Sequence, residues 1–171
     1  WHISDTHGLT FDDCRVPEEN LLGTRGHGFK QFLAVLDDGR IAISALAVGL
    51  AQACLEQSVR YANERTTFGT PIGSKQGVAF QLADLAVSVE AARLLTYKAA
   101  RLLTYKAAAL KDAGRSAKDV KHAAAIAKLY STEAAVTATR IATQVFGGNG
   151  FMEEFPVARF YRDAKILEIG E

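Results

Sequence analysis

The chain has 171 residues with 49% hydrophobic and 23% charged side chains, enough apolar material for one domain with a real core and too much for a largely disordered chain. Twenty Lys and Arg against nineteen Asp and Glu leave +1, so the basic excess on which phosphate-contacting nucleic-acid binders rely is missing, and no nucleic-acid partner is expected. The longest nearly apolar run, Ile41 to Ala51, is about half of the ~20 residues that a membrane-spanning helix needs and includes Ser44, so no membrane span is expected either.

The first 25 residues differ in texture from the rest. Trp1-His2-Ile3-Ser4-Asp5 has neither the basic start nor the apolar stretch of a signal peptide, and without an initial Met the sequence is expected to be a portion of a longer protein. Leu9-Thr10-Phe11 and Cys14-Arg15-Val16-Pro17 alternate apolar and polar side chains around Asp12-Asp13, so residues 1–25 are expected to hold short strand pieces and a turn, a β remnant or linker.

From Gly28 the period changes to three and four. Phe29, Phe32, Leu33, Leu36, Ile43, Leu46, Ala47, Leu50, Ala53, Cys54 and Tyr61 mark the apolar face of a long helix. Gly39 and Gly49 weaken that helix intrinsically, so packing must hold it. Gly69, Pro71 and Gly73 close the segment. A second long helix, Val78 to Ala113, contains neither Gly nor Pro and shows one face at Val78, Leu82, Leu85, Val89 and Ala92. Gly114 ends it, and Ser116, with Asp119 three residues on, is expected to cap a third helix running towards Phe146. That helix carries small residues, Ala123, Ala124, Ala127, Ala134, Ala135 and Ala138, which allow neighbouring backbones to approach closely. Gly147-Gly148-Asn149-Gly150 stops it, and Pro156 opens a short fourth helix over Val157 to Lys165. The expected fold is mainly α: an up-down four-helix bundle over residues 26–171 with a short N-terminal β remnant.

Within the second helix, Ala92-Arg93-Leu94-Leu95-Thr96-Tyr97-Lys98-Ala99 recurs letter for letter as Ala100 to Ala107. Two copies of eight residues are too few and too short for a solenoid, so a tandem duplication or insertion is the expected origin. Eight residues add about 12 Å of helix and rotate the downstream side chains by roughly 80°. One continuous helix through both copies is expected, with Leu94 and Leu95 better buried than Leu102 and Leu103, and with the Gly114 turn displaced from the bundle end.

Several segments carry candidate chemistry beside a plainer structural reading. Arg65-Thr66-Thr67-Phe68-Gly69-Thr70-Pro71-Ile72 reads as a cationic helix end and a Gly/Pro turn, or as a phosphate clamp in which an Arg fork works beside the Thr67 hydroxyl. Gln144-Val145-Phe146-Gly147-Gly148-Asn149-Gly150 follows a helix instead of preceding one, so it lacks the geometry of a nucleotide-binding P-loop. It reads as a helix C-cap or as a turn whose glycines admit a flat ligand. Gln76 and Gln144 offer both donors and acceptors. Asp37-Asp38-Gly39-Arg40 is a solvated face, or an Arg in apolar surroundings that needs an anion. His2, His7, His27 and His122 lack metal-ligand spacing, as do Cys14 and Cys54, so no metal is assigned, and a reducing compartment is expected.

Taken in order, Phe11 to Pro17, Leu36 to Arg40, Arg65 to Ile72 with Gln76, Gln144 to Phe151, and Tyr161-Arg162-Asp163-Ala164-Lys165 with Glu171 resemble the acyl-CoA dehydrogenase family over nearly the whole chain, most closely its short-chain and branched short-chain members. The resemblance implies that residues 1–25 end a middle β domain, that residues 26–171 form most of a C-terminal bundle, and that the whole is an FAD-dependent oxidoreductase of fatty acid metabolism. In that reaction a glutamate removes the α proton of an acyl-CoA thioester and FAD accepts the β hydrogen, after which electrons pass to an electron-transfer flavoprotein. By this resemblance Arg65, Thr67, Phe68 and Gln76 contact FAD. Gln144, Val145, Phe146, Gly147 and Gly148 match a turn that reaches the FAD of a neighbouring subunit, so that the two motifs approach flavins from opposite sides of a dimer interface. Asp37, Asp38, Gly39 and Arg40 match a substrate-side segment, and Glu171 falls on the catalytic base, before the family's usual Gly-Thr. Some members place the base at the position held here by Gly39, which has no side chain to take a proton. A homo-oligomer, dimer or tetramer, in the bacterial cytoplasm or mitochondrial matrix, is implied. The piece alone is expected to be inactive; an acyl-CoA oxidase-like flavoenzyme and a non-catalytic helical oligomerisation module are the other readings.

Overall fold

The structure, a computed structural model, describes residues 1, 7–112 and 117–170, with side chains at all of these except Asp37, 103–112 and 117–120. Four helices dominate it: α1 (Gly28–Glu64), α2 (Gln76–Asp112), α3 (Ala117–Phe146) and α4 (Pro156–Ile169). Between α1 and α2 lie two short antiparallel strands, β1 (Thr66–Thr67) and β2 (Thr70–Pro71), and a 3-10 turn over Ile72–Ser74. A further 3-10 turn, Gly147–Phe151, joins α3 to α4, which begins with Pro156 in its first turn, where a missing N–H costs nothing.

The helices alternate in direction, as expected of an up-down bundle. Val48 of α1 clusters with Ala92 of α2 and Ala134 of α3, whereas Ala62 clusters with Ile72 and Val145, packed by Val78 and Leu82. Chain positions thus rise together on α1 and α3 and fall on α2. At the entry to α4 the aromatic Phe155 meets Phe146, while the Lys128 ammonium reaches the Glu168 carbonyl, so α4 runs against α3. The main core joins Ala47, Ala51 and Cys54 of α1, Leu85 and Val89 of α2, Ala135, Ala138 and Ala142 of α3, and Val157 and Leu167 of α4.

Three expectations are corrected. Among the described residues of the first 25 there is no strand; a 3-10 turn at Glu18–Asn20 is the only regular element, and Leu9, Phe11 and Val16 are exposed. A strand needs a hydrogen-bonding neighbour, and none is supplied there among the described residues. The apolar face of α1 is covered only from about Ile43 onwards, and there Leu46 still stays exposed; Phe29, Phe32 and Leu33 are exposed because none of the other described elements covers that first stretch of the helix. In the duplicated octads α2 is continuous, but Leu94 is 60% exposed while Leu102 is half-buried, the reverse of the expected order. The seam from Leu85 and Val89 continues through Ala92, Thr96 and Ala99, all buried, and Leu94 lies roughly 200° round the helix from Ala92. Leu95, one position closer to the Thr96 seam, is half-buried. The side chain of Leu103, the Gly114 turn and the Ser116 cap lie outside the described residues.

Among the described residues, no helix is long and apolar enough to cross a membrane. Both cysteines are free thiols, Cys14 exposed and Cys54 buried. Burial pushes the Cys54 thiol from 9.0 up to about 12, so between those values the unfolded chain releases a proton that the native chain retains. The stability this contributes is complete below the unfolded value and is lost as pH rises towards the folded one. Thiol titration should therefore find one reactive cysteine in the native chain and a second only in denaturant; two fast native thiols would contradict this packing. Leu85→Ala should cost about 2–5 kcal/mol in denaturant unfolding, and the exposed Leu94→Ala less than about 0.5 kcal/mol.

Candidate functional site

The candidate flavin residues gather at one end of the bundle, and Tyr61 ties them together. Its ring stacks on Phe146 at 4.0 Å and 13°, and Phe155 stands edge-on to both rings at 6.2 and 5.5 Å. The Asn149 amide donates to the Tyr61 hydroxyl at 2.9 Å, and the Tyr61 carbonyl accepts the Arg65 N–H at 2.8 Å. One residue therefore holds both the start of the Arg65 to Gln76 segment and the Gln144 to Gly148 turn. Sequence periodicity marks Tyr61 only as an apolar helix position; its place four residues before Arg65, one helical turn, is the signal that connects it to the site.

The hairpin after α1 has a two-residue loop. Phe68 and Gly69 have φ of +53° and +77°, the pair of left-handed conformations required by a type I′ turn, with Thr67 paired to Thr70. Glycine tolerates this conformation and an aromatic residue does not readily do so, so Phe68 stores strain. It is also 98% exposed, with the Lys75 ammonium 5.6 Å from its ring centroid. A bulky apolar ring is thus held out in a costly conformation with little contact beyond Lys75. Arg65 caps α1 and is exposed; its guanidinium makes no hydrogen bond or ion pair among the described residues. Thr67 is half-buried in β1, and Gln76 is the exposed first residue of α2.

The second motif faces the same end. Gln144 is exposed, whereas Val145 and Phe146 are buried in the core clusters and present no side chain to a ligand. Gly147, at φ +59°, and Gly148 are exposed, and a Cβ on either would meet nothing within 4 Å. Their backbone is open to a flat or anionic group. Gly150 is the opposite case: a Cβ there would collide with the Thr143 carbonyl oxygen, so this glycine closes the turn onto α3. The Arg65 and Gln144 motifs thus share one end of a single protomer, joined by the packing of Ile72, Val145 and Ala62, which corrects the expectation that they face flavins from opposite sides of a dimer interface.

The expected substrate segment lies elsewhere. Asp38 is exposed and Gly39 and Arg40 are half-buried in α1, Arg40 with a partner of its own, and the Ser44 hydroxyl donates to the Arg40 carbonyl at 2.6 Å. Asp37 is in α1, its side chain outside those described, and Glu171 lies outside the described residues altogether. Arg40 and Arg65 are separated by 25 residues of continuous helix, roughly 37 Å along its axis. The C-terminal end of α4 is found at the Arg40 end: Lys128, which reaches Glu168, precedes Ala134 by six residues on α3, as Ile43 precedes Val48 by five on the parallel α1. The motifs accordingly divide between two ends of the bundle.

The family model of the acyl-CoA dehydrogenase C-terminal domain matches residues 26–171, and the chain belongs to this family. It is 47% identical over 98% of its length to the Bacillus subtilis protein named Probable acyl-CoA dehydrogenase YngJ, covering 41% of that protein. It is 45% identical over 98% of its length to the mitochondrial short-chain specific acyl-CoA dehydrogenase of Mus musculus, covering 38% of it. Among solved structures, butyryl-CoA dehydrogenase from Megasphaera elsdenii matches with a TM-score of 0.81 at 42% identity, over 94% of this chain and 39% of that one. The chain thus spans about two fifths of the length of the relatives it matches.

The turn geometry separates two glycines that look alike in sequence. Gly150→Ala should lower stability by about 1–3 kcal/mol through the clash with Thr143, while Gly148→Ala should leave the melting temperature within a degree or two. Equal melting temperatures for both variants would show that the Gly150 contact is not made.

Proposed function

We propose that this chain is the C-terminal domain of an FAD-dependent acyl-CoA dehydrogenase acting on a short acyl-CoA thioester, and that its sites are completed between protomers. The observation that carries the reading is the division of the motifs: an exposed cation, an exposed aromatic ring and open glycine backbone at the Tyr61 end, against the Asp38–Arg40 segment and the α4 terminus at the other.

The Tyr61 end fits a flavin dinucleotide. Arg65 and Lys75 supply positive charge for its phosphates, Gln76 and Gln144 supply amides for polar edges, and the Gly147-Gly148 backbone allows close approach. Val145 and Phe146 act from beneath, holding the turn by their burial. When bound, FAD supplies the acceptor for the β hydrogen of the substrate as hydride.

At the other end, Glu171 is the base that takes the α proton. An α C–H is a weak acid, so a carboxylate serves only where apolar surroundings raise its affinity for the proton and where negative charge developing on the thioester oxygen is stabilised. Leu167 packs into the core and Ile166 and Ile169 remain exposed beside the chain that leads to Glu171, so apolar side chains are available to that segment. Gly39 leaves α1 without a competing base at that position. Because Arg65 lies roughly 37 Å along α1 from Arg40, the cradle of one protomer and the base end of the same protomer serve different flavins; a dimer or tetramer completes each site. Electron-transfer flavoprotein is the electron acceptor in this reading, and the bacterial cytoplasm or mitochondrial matrix its compartment, in keeping with relatives from both kinds of source.

The test uses the chain extended to the length of its relatives. Glu171→Gln should abolish α-proton exchange of a short acyl-CoA while retaining the flavin spectrum; near-normal turnover would remove Glu171 from its role. Arg65→Ala should weaken FAD binding about 10- to 100-fold with a melting temperature close to the parent in the absence of flavin, as loss of a charge-assisted contact implies. A stable monomer with stoichiometric FAD would overturn the shared-site arrangement, and full FAD affinity in Arg65→Ala would return Arg65 to a plain helix end.

A further inference from the structure

Lys128 is the buried cation of the bundle among the described residues, with 8% of its surface exposed. It sits on α3, on a face otherwise built of alanine, serine and threonine, and its ammonium donates to the Glu168 carbonyl at 3.4 Å. That carbonyl belongs to the last turn of α4, where backbone acceptors have no continuing helix to meet; the Gly170 N–H satisfies the Ile166 carbonyl at 2.9 Å. A cation at this point also meets the negative end of the helix dipole. Glu168 is gripped twice, since its side chain pairs with Lys165 on the outer face. An ammonium has three donors, and one is used on the described residues.

We infer that Lys128 is a positioning residue for Glu171: anchored on α3, its ammonium holds the end of α4 and fixes the direction in which Ile169-Gly170-Glu171 departs. The inference rests on Glu171 being the base. Three residues separate the anchored carbonyl from the carboxylate that must meet an α C–H, and Gly170 between them, extended at ψ 146°, imposes little of its own on the path. Leu167 fixes one side of that last turn by packing into the core, and among the described residues Lys128 is the polar side chain that reaches the turn from another helix. A neutral residue of similar length would fill the space and leave only the packing of Leu167 to hold that turn.

The experiment compares Lys128→Met, Lys128→Arg and Glu171→Gln in the FAD-loaded full-length chain. Lys128→Met should lower kcat about 10- to 100-fold, the loss expected of a reacting group displaced by about 1 Å, with KM for a short acyl-CoA and FAD occupancy within about twofold of the parent. Lys128→Arg should recover most of that loss, because it restores a cationic donor. Should the Met variant not fold, Lys128→Gln reads the same kcat against KM split. Unchanged kcat in the neutral variant while Glu171→Gln is inactive would overturn the positioning role alone. Parallel losses in kcat, FAD occupancy and KM that Arg does not rescue would likewise overturn it in favour of simple packing. An active Glu171→Gln would instead overturn the base assignment on which the inference stands.

Discussion

The bundle depends on how close its neighbours can come to α3. That helix packs against each of the other three, and between the buried Lys128 in its first half and Val145 and Phe146 at its end most of what it buries is small: Ala134, Ala135, Ala138 and Ala142, with Ser131, Thr132 and Thr139 among them. The hydroxyls need no partner on another helix, because they are satisfied within their own. Thr132 donates to the Lys128 carbonyl and Thr139 to the Val136 carbonyl, both at 2.8 Å, and Ser131 to the Lys128 carbonyl at 3.3 Å. Backbones that approach closely bring many weak contacts to their optimum at once, and dispersion accumulates over the length of the interface. A larger side chain on this face would push away a neighbouring helix, and with it one of the two ends that hold the candidate site residues.

Small faces settle the spacing of helices but leave rotation and sliding weakly determined; the aromatic group at one end removes that freedom. Tyr61, Phe146 and Phe155 come from the end of α1, the end of α3 and the entry to α4, and their mixed stacked and edge-on contacts admit one relative placement. Beside this rigid end, the Phe68 hairpin and the Gly147-Gly148 turn lie open to solvent. At the far end the contact between helices is polar, the buried Lys128 of α3 donating to the Glu168 carbonyl of α4. Aromatic packing thus joins the helices at one end, and a polar contact adds to the packing of Leu167 at the other.

Legibility divides along the same line between local pattern and distant contact. The four helices can be read because three- and four-residue spacing and Gly/Pro punctuation agree at each boundary, and Pro156 at the head of α4 is the clearest case. The small face of α3 is legible as well, since alanines at that spacing have few other uses. The features that escape depend on contacts distant in sequence or absent from the chain. Leu9, Phe11 and Val16 carry a strand-like alternation, but alternation makes a strand only beside a partner. The Phe68-Gly69 turn is hidden for a different reason: Asn-Gly advertises a type I′ loop, whereas Phe in that position runs against local preference. Phe68, Arg65 and the glycines of the Gln144 turn are recognisable as a set through family resemblance; their gathering around Tyr61 is not, because periodicity explains Tyr61 as core and stops there.

The duplicated octad shows most plainly why local sequence underdetermines burial. Ala92 is fully buried and its copy Ala100 only half-buried; Leu94 is exposed and its copy Leu102 half-buried. Identical side chains differ because eight residues turn the helix by roughly 80° beyond two full turns, so each copy meets the bundle on a different face. Two responses to such an insertion compete. Breaking the helix would restore the side-chain phase but strand several backbone donors and acceptors, each of which costs about 1–3 kcal/mol if buried. Keeping the helix preserves every backbone bond and changes only which side chains face inward. The octad makes the second response easy: its alanines, leucines and tyrosine are distributed around most of the circumference, so an apolar residue is available at nearly any phase. Backbone continuity therefore prevails over repetition of the pattern, and α2 remains unbroken from Gln76 to Asp112.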